Sequence, residues 1–172
     1  EVVELINGKI FKKAAAAPKR LHQKVSSKLN FKLYQFLEGK RCQVYAAPFD
    51  VRFPKDSKED CQIFNVVQPD LCVICNPEKL DERGCLGAPD LIVEILSPGN
   101  TKTELKFKYQ LYESHGVAEY WIIHPDYQNI TPYILVNGHY IPSKLMTSGD
   151  VLQSKVLEGF SLDLEDFFAD IE

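Results

Sequence analysis

The sequence predicts an α/β (mixed α+β) architecture in which a mixed sheet is flanked by helices and extended by hairpins. Three observations predict it. Two strongly apolar runs, QPDLCVI (68–74) and PDLIVEILS (89–97), read as strands bounded by Pro, Gly and Asn. Two segments repeat their apolar residues at helical spacing, from Pro18 to Glu38 and from Thr101 onward. Two Asn-Gly pairs, Asn7-Gly8 and Asn137-Gly138, sit between short alternating stretches, as hairpin turns require.

Taken in order, Val2 to Ile6 and Lys9 to Phe11 form the first hairpin. Pro18 is suited to open a helix, which buries Leu21, Val25, Leu29, Leu33 and Phe36 and ends at Gly39. Strands follow around Gln43 to Ala47 and Phe49 to Phe53, then a charged loop from Lys55 to Asp60, then the two apolar strands. Thr101-Lys102-Thr103-Glu104 is a capping box for the next helix, and Gly116 ends it. Glu119 to His124 is a strand stopped by Pro125. Tyr133 to Val136 and His139 to Ile141 make a second hairpin, and the amphipathic tail from Gly159 to Ala169 predicts a closing strand and short helix.

With 172 residues, 45% of them hydrophobic and 26% charged, the chain suits one soluble domain spanning 1–172. It shows no internal repeat, signal peptide or run long enough to span a bilayer, so a cytoplasmic location is expected and a membrane partner is not. The five cysteines (Cys42, Cys61, Cys72, Cys75, Cys85) follow no disulfide rhythm and are expected to be reduced, small buried hydrophobes. Cys72 and Cys75 are spaced as a CxxC, but residues three apart on a strand face opposite ways, and no second ligand pair for zinc is present.

The net charge of -4 hides an asymmetry. From Lys9 to Arg41 ten Lys or Arg face the single acid Glu38. Arg20, Lys24, Lys28 and Lys32 recur every fourth residue and would form a basic stripe on one helix face, able to follow a phosphate backbone or simply to be solvated.

Three side chains stand against this background. Asp70 opens one apolar strand, Glu94 interrupts the other, and Lys108 falls near the middle of the helical arc made by Leu105, Phe107, Tyr109, Leu111 and Tyr112. A carboxylate in such a strand costs several kcal/mol to desolvate unless a cation or donors compensate, so Glu94 needs a partner. Asp90 on the same strand would lie roughly 13 Å away, whereas neighbouring strands are only about 4.8 Å apart, so Asp70 is the better mate. Lys108 must either extend its ammonium to solvent or find anionic company. Two carboxylates and a lysine of this kind point to a metal-dependent phosphodiesterase.

The run APDLIVEILSPGNTKTELKFKYQLYESHGVAEYWIIHP (88–125) closely resembles the signature of the Uma-two (Uma2) family, restriction-endonuclease-like proteins of the PD-(D/E)XK superfamily. The resemblance extends more loosely to ELINGKI, His22, VVQPDLCVI and GFSLDLEDFF, and so covers nearly the whole chain. It implies a restriction-endonuclease-like core whose second and third core strands present Asp70 and Glu94. The superfamily's lysine would stand two residues after the acid, where this chain has Leu96. The family's recurring lysine is matched instead by Lys108 on the following helix. His22 and Glu4 match further recurring positions and are supporting candidates.

The expectation that follows is a Mg²⁺-dependent (or Mn²⁺-dependent) DNA endonuclease. Asp70, Glu94 and the backbone carbonyl of Ile95 would hold the ion, with Lys108 orienting the nucleophile or stabilising the transition state. Phe167 and Phe168 are candidate interface residues for a homodimer. The alternatives are a catalytically silent nuclease-like scaffold that binds nucleic acid or a partner protein, and a purely structural buried ion pair.

Overall fold

The computed structural model describes residues 3–6, 8–12, 19–54, 63–97 and 100–171. Asn7, Pro18 and the charged loop at 55–60 lie outside them. The chain opens with an antiparallel hairpin, β1 (Val3–Ile6) and β2 (Lys9–Lys12), in which Ile6 pairs with Lys9. Helix α1 (Arg20–Leu37) follows and buries Val25, Leu29, Leu33 and Leu37 along one stripe. Leu21 and Phe36 pack at the edge of that stripe.

Strands β3 (Gln43–Ala46), β4 (Val51–Arg52), β5 (Val66–Val67), β6 (Leu71–Ile74), β7 (Leu80–Asp81), β8 (Gly84–Leu86) and β9 (Leu91–Ile95) lead to α2 (Lys102–Ser114). The Thr101 hydroxyl accepts from the Glu104 amide at 3.1 Å, as an N-cap should. The reciprocal half of the expected capping box is replaced: the Glu104 side chain accepts from Asn100 instead. Then come β10 (Glu119–His124), β11 (Asn129–Val136), β12 (His139–Pro142), β13 (Val151–Gln153), β14 (Ser161–Asp163) and the short helix α3 (Leu164–Phe168). Asn137 and Gly138 both have positive φ, 52° and 81°, the signature that a two-residue turn between β11 and β12 demands.

The central sheet has the order β12-β11-β10-β9-β6-β3. It is mixed: β9 and β10 are parallel, joined by the α2 crossover, while their outer neighbours are antiparallel. A second sheet, β2-β1-β5-β4-β8-β7, carries the N-terminal hairpin.

Alternation along the central strands sorts their side chains onto two faces. Leu71, Val73, Leu91, Val93, Ile95, Trp121 and Ile123 pack with α1, α3 and the C-terminal segment. Cys72, Ile74, Ile92 and Tyr120 pack with α2 and the second sheet. By this alternation Glu94 faces α2, the helix that carries Lys108.

Two expectations are corrected. Phe167 and Phe168 are buried at 0% and 2% exposure within the core, so they offer no exposed interface; a five-residue helix folded back on α1 hides what a linear reading of an amphipathic tail leaves outside. Cys42 and Cys75 form a disulfide rather than two free thiols. The β3–β6 register, which pairs Gln43 with Ile74, brings them opposite each other although 33 residues separate them in sequence. Cys72 and Cys85 are free and buried, as expected of small apolar fillers. Among the described residues no helix is long and apolar enough to cross a membrane.

Candidate active site

The antiparallel β6–β9 register pairs Leu71 with Val93 and therefore continues to Asp70 opposite Glu94. This is the cross-strand meeting that strand spacing favours over Asp90. Asp90 has a separate task, its carboxylate accepting from the Cys75 amide at 2.7 Å. Asp70 and Glu94 are buried at 7% and 4% exposure. The Ile95 amide donates to Oδ2 of Asp70 at 2.7 Å, which stitches the mouth of β6 to the end of β9.

Elements from both sides of the sheet converge here. From α1, Nε2 of His22 lies 3.1 Å from Oδ1 of Asp70. From α2, Nζ of Lys108 donates to Oε1 of Glu94 at 2.9 Å. From β1, Oε1 of Glu4 lies 3.0 Å from the same Nζ and also accepts from the Gln68 amide at 3.0 Å. Glu4 is thus a long-range partner of Lys108, while its cross-strand neighbour in the hairpin is Phe11. All five side chains singled out from the sequence for catalysis or its support come together.

Lys108 is 1% exposed and finds company rather than solvent. Burial alone would lower its pKa, but Glu94 and Glu4 outweigh that and hold it above the ordinary lysine value. A lysine held in its charged form can offset negative charge but has no lone pair with which to accept a proton.

Sequence reasoning missed Tyr112, which counted only as part of an apolar arc. Its hydroxyl donates to the same Glu94 Oε1 at 2.6 Å. Burial, reinforced by the Glu94 charge, raises its pKa well above that of a free phenol, so it remains a donor. Its position one turn from Lys108 on the same helix face was the available signal, since residues four apart on a helix are neighbours.

The basic stripe is arranged differently. Lys28 and Lys32 bond to Asp170 and Asp166, respectively, and Lys24 lies 3.9 Å from Asp170, so three of the four cations meet the acidic C-terminal segment. Arg20 is exposed at the start of α1, two residues from His22.

Among the described residues no group of three or more His, Cys, Asp or Glu is arranged as a metal cage. The donor set nevertheless fits a hard cation. Mg²⁺ keeps several waters and takes one or two carboxylates rather than a full protein cage. The site offers three carboxylates to one ammonium. Two buried polar atoms beside it, His22 Nδ1 and the Tyr120 hydroxyl, have no hydrogen-bond partner among the described residues and suit the waters such an ion carries. Burial, then the Glu94 charge, with smaller effects from Tyr140, Tyr133 and Asp70, raises the pKa of the Tyr120 hydroxyl.

A mixed sheet packed between α1 and α2, with a second sheet beside it, defines an α+β protein. The fold is shared with a crystal structure of a "putative nuclease belonging to DUF820" from Anabaena variabilis ATCC 29413, which is 21% identical, with a TM-score of 0.77 over 99% of this chain and 91% of that one. The family described as "Putative restriction endonuclease", Uma2, matches residues 1–165, and the chain belongs to it. No curated protein matches the chain.

Proposed function

We propose that this protein is a metal-dependent endonuclease that hydrolyses DNA phosphodiester bonds at the Asp70–Glu94 site. The observation that carries the reading is the opposition of these two buried carboxylates across adjacent strands, with a fixed ammonium beside them. Asp70, Glu94 and the Ile95 carbonyl would hold Mg²⁺ or Mn²⁺. When bound, the ion supplies a water of lowered pKa and offsets phosphate charge.

The chain's own groups divide the remaining work. His22 and the Ile95 amide orient Asp70 from two sides. Glu4 and Glu94 hold Lys108 in its charged form, where it can stabilise negative charge developing on the phosphate. Arg20, Lys24, Lys28 and Lys32 along α1 would follow the DNA backbone, with phosphate replacing Asp166 and Asp170 as the partner of the lysines. Plasmid nicking with Mg²⁺ or Mn²⁺ tests the reading. Activity in the wild type that disappears in Asp70→Ala and Glu94→Ala is expected, and equal activity in all three ends the proposal.

A second reading rests on Leu96, which stands where the superfamily carries its lysine. In it the chain grips DNA without cutting. Metal-independent, salt-sensitive DNA binding that survives Glu94→Ala, with no nicking by the wild type, would favour it.

A further inference from the structure

Glu94 Oε1 accepts two hydrogen bonds from α2, and the two donors differ in their other commitments. Lys108 divides its ammonium between Glu94 at 2.9 Å and Glu4 at 3.0 Å. Tyr112 is fully buried, its ring set edge-on to Tyr120 at 5.2 Å and tilted against Phe53 at 6.1 Å, so its hydroxyl is held in one direction. Nearby tyrosines on this face direct their hydroxyls elsewhere: Tyr109 to the Tyr140 carbonyl and Tyr140 to the Val117 carbonyl. Among these tyrosines Tyr112 is the one whose bond ends on a carboxylate of the site.

A lysine that serves an incoming phosphate must shift its ammonium toward it. Were Lys108 the sole donor to Oε1, that shift would leave a buried carboxylate oxygen without its partner, a costly state. Glu94 would then move as the substrate arrived. A second donor on a rigid ring removes that dependence.

We propose that Tyr112 is a positioning residue that fixes Glu94 opposite Asp70 independently of Lys108, so that ion binding by the carboxylate pair depends on Tyr112 while Lys108 is left to serve the phosphate. This rests on the reading of Asp70 and Glu94 as ion-holding groups.

The test compares wild type, Tyr112→Phe, Tyr109→Phe and Lys108→Met by calorimetric titration with Mn²⁺ alone, thermal unfolding, and steady-state plasmid nicking. Tyr112→Phe keeps the ring and its packing. Its affinity for Mn²⁺ should fall by about tenfold or more, the worth of a hydrogen bond to a charged group, with kcat lowered and the KM for DNA unchanged. Tyr109→Phe should match the wild type throughout. Lys108→Met should lose nicking while binding Mn²⁺ at least as well as the wild type, since a competing cation has gone. Wild-type affinity in Tyr112→Phe, or lost affinity in Lys108→Met, overturns the inference and leaves the reading of the site standing. A wild type that binds no Mn²⁺ overturns both.

Discussion

Glu94 and Glu119 lie on the neighbouring parallel strands β9 and β10, both buried, yet their surroundings are opposite in kind. Glu119 accepts from the Trp121 indole, the Ser154 hydroxyl and the amides of Lys155 and Val156, four neutral donors at 2.7 to 3.0 Å. It organises the loop between β13 and β14 and is complete in itself. Glu94 accepts from the Tyr112 phenol and from an ammonium that it shares with Glu4, and Asp70 stands opposite it on the next strand. Burial of an acid therefore marks no function by itself. What separates the two is whether the donors close the shell with neutral groups or leave like charges side by side, an arrangement that an arriving cation stabilises.

Substitution should separate them cleanly. The largest effect is expected on catalysis: Asp70→Ala or Glu94→Ala should reduce plasmid nicking on the order of a hundredfold to a thousandfold, while Glu119→Ala, assayed where it is folded, should retain the wild-type rate. Thermal unfolding should show a loss at Glu119 that the rate does not. Glu119→Ala strands several buried donors and should cost about 3 kcal/mol or more, lowering Tm by about 6–12 °C. An inactive but fully stable Glu119→Ala would dissolve the distinction.

A smaller effect is expected at Gly84, on β8 of the second sheet. Its φ of 118° and a would-be Cβ only 2.2 Å from the Asp50 carbonyl oxygen leave no room for a side chain. Gly84→Ala should cost about 1–3 kcal/mol in denaturant unfolding without changing the rate per folded molecule. A neutral result would show that β4 and β8 can part without harm.

The smallest effect concerns acid stability. The hydrogen bond from Arg52, then that from the Arg83 amide, holds Asp81 below its usual carboxyl pKa of 3.8. The unfolded chain binds that proton first as pH falls, so the stabilisation is present above 3.8 and is lost below it, through the lowered folded pKa. Asp81→Asn should flatten the pH dependence of stability in that acidic window and leave the neutral-pH nicking rate alone.

Much of the site was legible because strand geometry is strict. Fixed rise along a strand and fixed spacing between strands chose Asp70 over Asp90 for Glu94, and helical phase put Lys108 on the covered side. Glu4 needed the family resemblance, since only the assembly of the second sheet carries it to Lys108. Tyr112 was hidden by its own chemistry: a phenol in an apolar arc reads as packing until the acid beneath it is seen. Strands such as β5 and β7, two residues each, are too short for any periodicity to register. The disulfide depended on a register between β3 and β6 that spacing along the chain cannot reveal.

The lysine's home on α2 also changes when the site becomes whole. On the strand, two residues beyond Glu94, an ammonium would arrive with the sheet itself. Lys108 reaches the site only through the packing of α2 on that sheet, and Tyr112 comes with it. A chain in which α2 had not packed would carry the two acids in register and lack the ammonium and the phenol beside them.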